Sequence, residues 1–170
     1  LLIETIRIQN GRVRNIRYHN QRCNQARKEL FGQTSTLNLR DYIDTSLAPD
    51  QNTKCRITYN ENIVKVEYET YKLRLITSIK LLEVEDYTYE YKFADRKRLD
   101  EYFRQRGNKD DIIMTKNGFL TDTYYGNIAL SKNGKWYTPS QPLLKGTMRS
   151  YLLEKKILHR DLKPANILFK

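Results

Sequence analysis

The chain has 170 residues and a formal net charge of +11, with 39% hydrophobic and 30% charged residues. This length is enough for one ordinary domain or two small ones with a buried core, and the composition excludes an intrinsically disordered chain. No apolar run reaches the roughly 18 residues that a membrane helix needs, and no signal-peptide pattern opens the chain, which predicts a cytoplasmic protein without a membrane partner.

The cysteines and histidines do not have the pattern of a metal site. Cys23 and Cys55 lack Cys-x-x-Cys spacing, and His19 and His159 are the only histidines. A structural zinc site needs more ligands at closer spacing, so we expect no metal and reduced cysteines. The basic residues are scattered along the chain and form no block, so nucleic-acid binding is not expected. A basic binding module without catalytic activity stays open as an alternative.

Residues 1–75 have the pattern of an α+β layer, which we predict to be the N-terminal domain. The stretch "LIETIRIQNGRVRNIRY" contains two extended runs joined by Asn10-Gly11, a dipeptide typical of tight hairpins. From His19 to Phe31 the apolar residues follow helical spacing, and Gly32 predicts the end of that helix. Two more strands are predicted around a turn at residues 60–62. The apolar residues expected to share one side of the helix are Cys23, Ala26, Leu30 and Phe31.

Residues 76–170 are predicted to form a C-terminal domain that begins with an extended segment. In "LITSIKLLEVEDYTYEYKF" the three tyrosines 87, 89 and 91 alternate with polar residues and would share one face of a strand. Asp95 is placed to cap a following helix, which Gly107 would end. Lys92 is therefore predicted to lie where a strand gives way to a helix.

The rest of the chain predicts an antiparallel meander and a final helix. The meander turns would be Asn117-Gly118 and Asn133-Gly134, and the helix would begin near Gly146. The chain starts without a methionine and stops in what reads as the beginning of a strand. We therefore expect it to be incomplete, above all at its C-terminal end.

The stretch "ILHRDLKPANILF", residues 157–169, resembles the catalytic loop of a protein kinase, with Asp161 as base and Asn166 as magnesium ligand. A kinase also needs a glycine-rich loop over the ATP phosphates and a second metal ligand downstream. The seven glycines contain no Gly-x-Gly pair, and only four residues follow Asn166. A kinase-like phosphotransferase therefore stays open only as a minor alternative to a short amphipathic turn that Asp161 caps.

Four segments, read in order, resemble the class IV aminotransferases, pyridoxal-phosphate enzymes that include branched-chain aminotransferase, D-amino-acid aminotransferase and aminodeoxychorismate lyase. The first is "IETIRIQNGRVRNIRYHNQRCNQARKELFG", with His19-x-x-Arg22, and the second is "YKFADRKRL", with a Lys-x-x-x-Arg pattern. The third, "NGFLTDTYYGNIAL", runs from a carboxylate to an asparagine, and the fourth, "YTPSQPLLKGTMRSYLL", holds a phosphate loop and the following helix. The resemblance covers nearly the whole chain. It implies an α+β fold of the D-amino-acid aminotransferase-like type, with two small domains, a cofactor site between them and a homodimer.

The resemblance also implies which residues would contact pyridoxal 5'-phosphate. Lys92 would hold the cofactor as a Schiff base and move the proton of the reaction. Asp122 would face the ring nitrogen and keep it protonated, at a position where most relatives carry Glu, so its reach is left open. The phosphate would bind Arg22 and the backbone amides that begin the last helix, at Gly146, Thr147 and Met148.

Two further arginines are candidates for substrate binding. Arg7 falls where some relatives place an arginine near the substrate carboxylate, and Arg96 would lie one helical turn after the lysine. Surface positions are the alternative for both.

The reaction implied by the resemblance is either transamination of an amino acid or the elimination that converts aminodeoxychorismate to aminobenzoate. Both reactions use the same lysine, ring carboxylate and phosphate contacts, so the sequence leaves the choice open. A member of the family with the fold but low turnover is a further alternative, because of Asp122 and the shortness of the chain.

Overall fold

The computed structural model describes residues 1–162, with side chains described as far as residue 159. The chain divides into two compact units. The first contains residues 1–74 together with 91–95, and the second contains residues 75–90 and the chain from Arg96 onward. The sequence placed 91–95 in the C-terminal domain, whereas these five residues pack with the first unit. The predicted division into domains at 75 and 76 stays a prediction.

The first unit is built on a four-stranded antiparallel sheet with the strand order β2-β1-β3-β4. Its strands are β1 (Leu2–Gln9), β2 (Arg12–Val13), β3 (Asn52–Tyr59) and β4 (Ile63–Thr70). The predicted hairpin turn is confirmed, since Asn10 and Gly11 both have positive φ, at 50° and 72°. Two consecutive left-handed residues match the right-handed twist of the flanking strands.

Helix α1 (Ile16–Phe31) shares a hydrophobic core with this sheet. It begins three residues before the predicted start and ends at Gly32, whose φ of 68° satisfies the left-handed cap that glycine adopts without strain. Of the apolar residues predicted to share one side of this helix, Cys23 and Ala26 are buried, whereas Leu30 is 40% exposed. Arg27 is buried instead, and its guanidinium donates to the backbone oxygens of Ser35 (2.6 Å) and Glu61 (2.9 Å). Two short 3-10 helices, Leu39–Tyr42 and Thr45–Leu47, follow.

The two cysteines are free thiols inside this core. Burial raises the pKa of Cys23 to about 12 and that of Cys55 to about 11. A thiol at such a pKa stays protonated at neutral pH and behaves as a small apolar side chain.

The second unit contains two three-stranded sheets. One has the order β5-β6-β7, with strands β5 (Ile79–Glu83), β6 (Asp111–Lys116) and β7 (Phe119–Thr123), and helix α2 (Lys97–Arg104) lies between β5 and β6 in the chain. The other has the order β10-β9-β8, with strands β8 (Leu130–Lys132), β9 (Lys135–Pro139) and β10 (Leu158–Leu162). Helix α3 (Thr147–Glu154) precedes β10.

The predicted meander is only partly correct. The hairpin turns at Asn117-Gly118 and Asn133-Gly134 are confirmed, with φ between 51° and 76° at all four residues. However, the two hairpins belong to different sheets, and each sheet gains a parallel strand: β5 pairs with β6, and β10 pairs with β9. Parallel pairs need a crossover connection, and the segments containing α2 and α3 make it.

The extended segment predicted around the tyrosines ends early. Strand β5 stops at Glu83, and residues 84–92 have no regular structure, yet Tyr87 and Tyr89 are buried on the same side with their ring centres 5.9 Å apart. They join Leu99 of α2 and Ile112 and Met114 of β6 in the second core.

No helix in residues 1–162 is both long and apolar enough to span a bilayer.

Candidate active site

Lys92 belongs to a short segment that runs beside β1 in the first unit. Its backbone oxygen accepts a hydrogen bond from the amide of Ile3 (2.9 Å), and the next residue, Phe93, forms a β-bridge with Leu2. The side chain of Lys92 is half-buried. The predicted strand-to-helix junction is wrong in detail, because the residues immediately before Lys92 form no strand and helix α2 begins only at Lys97. The lysine is instead positioned by backbone bonds to β1.

Arg22 lies in a buried polar cluster together with Glu4 and His19. Residues 19 and 22 of α1 are three apart and therefore share one side of the helix, toward which β1 directs Glu4. The Nε and Nη2 atoms of Arg22 donate to the two carboxylate oxygens of Glu4 at 2.8 and 2.6 Å, and Nδ1 of His19 lies 2.6 Å from Oε2. Glu4 is fully buried, while the side chain of Arg22 is 17% exposed.

The Glu4 carboxylate is held in its charged form. Burial raises its pKa, but the charge of Arg22 and hydrogen bonds from Arg22 and His19 outweigh that effect and lower the pKa to about 2. Sequence reasoning did not name Glu4 as a site residue. A signal was available, because Glu4 occupies the inward-facing register of β1 with Leu2, Ile6 and Ile8, and a buried carboxylate requires a partner.

Asp122 is the centre of a second polar cluster, in the second unit. The residue is 5% exposed and lies at the end of β7. Its Oδ2 accepts a hydrogen bond from the backbone amide of Leu144 (2.9 Å), and its Oδ1 accepts one from the side-chain amide of Asn127 (2.7 Å). Burial raises the pKa of Asp122 to about 6, against the lowering effect of these hydrogen bonds and of the Arg149 charge.

The loop before α3 is joined to the same cluster. Asn127 also donates to the backbone oxygen of Leu144 (2.7 Å), and a Cβ at Gly146 would lie only 1.9 Å from Asn127 Oδ1. The absent side chain of Gly146 therefore makes room for a neighbouring carboxamide, a reason for glycine that the sequence did not show. Gly146 is the N-cap residue of α3, and Thr147 is the first residue of the helix.

The first turn of α3 is also held in place by Arg149. This buried arginine donates from Nε to the hydroxyl of Thr138 (3.1 Å) and from Nη2 to the backbone oxygen of Pro139 (2.7 Å), which connects α3 to β9. Thr147 is half-buried and Met148 is 52% exposed. The first turn of α3 is thus connected to β9, and its amide end carries the positive end of the helix dipole.

The two candidate substrate arginines lie in different surroundings. Arg7 is exposed on β1, where its Nε and Nη2 donate to Oδ1 of Asn52 at 3.2 and 2.6 Å. Arg96 is the N-cap residue of α2, a position predicted for Asp95. Its guanidinium donates to the backbone oxygen of Tyr124 (2.7 Å) and lies 4.5 Å from the centre of that ring. Arg96 thus has a structural contact at the end of β7.

The polar contacts described above join two clusters, Glu4, His19 and Arg22 in the first unit and Asp122, Asn127 and Leu144, beside Gly146, in the second. Lys92 belongs to the first unit. Of the residues in the kinase-like stretch, Asn166 lies outside the described residues, and residue 161 is described for its backbone only. Among the described side chains, no group of three or more His, Cys, Asp or Glu residues is placed to hold a metal ion.

Comparison with known proteins identifies relatives over almost the full length of the chain. The sequence profile of the family "Amino-transferase class IV" matches residues 1–168, a range that includes the kinase-like stretch up to that residue. An uncharacterized protein of Haemophilus influenzae is 36% identical over 166 residues, which cover 95% of this chain and 88% of that protein. A candidate aminodeoxychorismate lyase of Schizosaccharomyces pombe is 42% identical over 55 residues, or 31% of this chain and 24% of that protein.

Solved structures give the same result. A candidate 4-amino-4-deoxychorismate lyase of Haemophilus somnus has a TM-score of 0.88 at 31% identity, covering 94% of this chain and 86% of that one. A Mycobacterium tuberculosis hypothetical aminotransferase in its PLP-bound form has a TM-score of 0.73 at 17% identity, covering 94% of this chain and 70% of that one, and this likeness shows the fold alone. With its mixed α and β fold confirmed by these matches, the chain belongs to the class IV aminotransferase family of enzymes.

Proposed function

We propose that the protein is a pyridoxal-phosphate-dependent enzyme that acts on 4-amino-4-deoxychorismate as a lyase. The supporting observation is the similarity to the candidate 4-amino-4-deoxychorismate lyase of Haemophilus somnus, which reaches 31% identity across 94% of this chain. The aligned segment of the Schizosaccharomyces pombe protein, also a candidate lyase of this substrate, points the same way. Transamination of an amino acid is the second candidate, because the family profile is that of aminotransferases.

In the first unit, Lys92 and Arg22 would contact the cofactor. When bound, pyridoxal phosphate supplies an aldehyde for covalent attachment and a pyridine ring that withdraws electrons from the substrate. Lys92 would provide the attaching amine and then carry the proton between substrate and cofactor carbons. Arg22 would bind the phosphate. The two-point contact to Glu4 fixes the orientation of the guanidinium.

In the second unit, Asp122 and the start of α3 have the chemistry that the ring nitrogen and the phosphate need. A buried carboxylate favours a protonated ring nitrogen, and the pKa of Asp122 at about 6 allows the group to be ionised at neutral pH. The backbone amides of Gly146, Thr147 and Met148 would bind phosphate oxygens at the positive end of the helix dipole. Arg7 is proposed to bind a substrate carboxylate, and its exposure on β1 is compatible with that role. Arg96 remains a weaker proposal, because its guanidinium is engaged by Tyr124.

The test of the proposed function is the absorption spectrum of the protein titrated with pyridoxal phosphate, beside Lys92→Ala and the control Lys72→Ala. We expect the absorption band of lysine-bound cofactor in the wild type and in Lys72→Ala, whose side chain is exposed, and no such band in Lys92→Ala. Borohydride reduction and peptide mass analysis should then find the phosphopyridoxyl group on Lys92. Cofactor attached to another lysine would contradict the assignment.

A second measurement separates the two reactions. Lyase activity would release aminobenzoate from 4-amino-4-deoxychorismate, whereas a transaminase would convert the bound cofactor to its pyridoxamine form on addition of an amino acid. Aminobenzoate release without pyridoxamine formation supports the lyase. The reverse result would assign transamination, and neither product would indicate a member of the family with little turnover.

We also propose a homodimer, on the basis of the family. Light scattering coupled to size-exclusion chromatography measures the mass directly, and a mass of one chain would contradict this proposal.

A further inference from the structure

The side-chain carboxamide of Asn127 makes three close contacts. Its nitrogen donates one hydrogen bond to Oδ1 of Asp122 and one to the backbone oxygen of Leu144, both at 2.7 Å. Its oxygen occupies the space beside Gly146, where a Cβ would come within 1.9 Å of it. Both amide hydrogens are therefore used, and the carboxamide cannot be turned over without placing an oxygen against two acceptors.

The backbone on each side of Asn127 is fixed as well. Asp122 and Asn127 form a β-bridge across a tight turn, in which the amide of Thr123 donates to the oxygen of Gly126 (2.8 Å). From the other side, the amide of Leu144 donates to Asp122 Oδ2 (2.9 Å). Asp122, Asn127 and Leu144 thus close a ring of three hydrogen bonds that includes both oxygens of the carboxylate.

We propose that Asn127 is a positioning residue, which holds the Asp122 carboxylate and the amide end of α3 in one fixed geometry. The inference rests on the proposed function, because that function gives Asp122 its role toward the ring nitrogen and Gly146 its role toward the phosphate. The Asn127 side chain donates to the Asp122 carboxylate and fits against Gly146, so it keeps the distance between these two groups constant. This separation has to match the distance between the ring nitrogen and the phosphate of a single rigid cofactor.

Asn127 also favours the charged form of Asp122. The hydrogen bond from the carboxamide lowers the pKa of Asp122, as do the amides of Leu143 and Leu144 and the charge of Arg149, while burial raises it. Removal of the Asn127 side chain should therefore raise the pKa of Asp122. Asn127→Asp should raise it further, because an acidic group at 2.7 Å would have to share a proton with Asp122.

The first experiment uses the protein without cofactor. The Asp122 carboxyl carbon is followed by NMR as a function of pH in the wild type, Asn127→Ala, Asn127→Asp and Asn108→Ala, an exposed asparagine of the same unit. We expect a midpoint near pH 6 in the wild type and in Asn108→Ala, and higher midpoints in the two Asn127 variants. Unchanged midpoints in both Asn127 variants would contradict the contact on which the proposal depends.

The second experiment measures the affinity for pyridoxal phosphate as a function of pH. We expect Asn127→Ala to weaken binding at pH 7.5 roughly tenfold, the order expected for the loss of one buried hydrogen bond to a charged group. The pH dependence of binding should shift together with the Asp122 midpoint. Gly146→Ala should weaken binding strongly in the wild type but much less in the Asn127→Ala background, where the clash with Oδ1 is gone.

The outcomes separate this inference from the proposed function. If the wild type binds no cofactor, the proposed function fails. If the wild type binds it, and Asn127→Ala and Asn127→Asp bind with unchanged affinity and pH dependence, only the positioning role fails. An additive effect of Gly146→Ala in the two backgrounds also contradicts the inference, because it would mean that the two residues do not constrain one another.

Discussion

Replacement of Glu4 by glutamine tests whether the buried cluster of Glu4, His19 and Arg22 stabilises the first unit. Glutamine has nearly the shape of glutamate but no charge, and its amide hydrogens would face the donors of Arg22. The pKa of Glu4 falls from 4.5 to about 2 on folding. At 1.36 kcal/mol per unit, this difference corresponds to about 3 kcal/mol of stability at neutral pH, in the range measured when one partner of a buried ion pair is removed.

The sign of the pH dependence follows from the lowered pKa. A carboxyl group whose folded pKa lies below its unfolded value stabilises the fold above pH about 4.5, and this contribution disappears as the pH falls toward about 2. The stability difference between wild type and Glu4→Gln should therefore be largest near neutral pH and shrink through this acidic range.

The assay is hydrogen exchange at the amides of β1 and β3. Fluorescence would not serve, because the single tryptophan, Trp136, lies in β9 of the second unit. Glu67→Gln on β4 of the same sheet is the control, since the Glu67 side chain is 42% exposed and its ion pair with Lys65 lies at the surface, so exchange should change little. A double variant with Arg22→Met should recover part of the loss, because no uncompensated charge remains. Equal exchange in wild type and Glu4→Gln, at neutral and acidic pH alike, would refute the reasoning.

Two further predictions concern the individual units. Arg27→Met should lower the stability of the first unit by about 3 kcal/mol, because the buried Arg27 guanidinium donates to the backbone oxygens of Ser35 and Glu61 and these bonds would be lost. Urea unfolding followed by circular dichroism measures this loss, Lys28→Ala on the exposed side of α1 is the control, and an equal effect of both variants would contradict the prediction. Asp110→Asn should reduce the exchange protection of the Thr77 and Ser78 amides, which donate to Asp110 Oδ2 at 2.9 Å and, with their hydroxyl groups, lower its pKa to about 2. Wild-type protection at these amides should be lost as the pH falls from about 4 toward 2, and a variant with wild-type protection at neutral pH would show that the carboxylate charge is not needed.

Local patterns were sufficient for the turns and for most elements. The three Asn-Gly dipeptides form turns with positive φ, as this pair does in hairpins, and Gly32 ends α1 in the left-handed conformation. The family was also recognisable from the sequence, because its motifs occur in order along the chain. These features depend on residues that are neighbours in sequence, so their conformation is set by local sterics and hydrogen bonding.

Segments whose conformation depends on distant parts of the chain were predicted less well. Polar and aromatic residues alternate over 84–92 as they do in a strand, yet the chain leaves the sheet after Glu83. The segment forms no strand, and Tyr87 and Tyr89 are buried against α2 and β6. Burial of aromatic rings is decided by what the rest of the chain places next to them. The parallel pairing of β5 with β6 has the same origin, since no local signal distinguishes it from an antiparallel pair.

The sequence by itself determined the family, the class of fold and the residue types of the candidate site, because these are properties of motifs whose members lie a few positions apart. Only the tertiary structure decided which partners those residues have. Glu4 meets Arg22 from 18 positions away, and Asp122 receives the amide of Leu144 from 22 positions away. Such contacts depend on how strands, helices and loops pack, and a buried charge takes whichever donors that packing brings within hydrogen-bond distance.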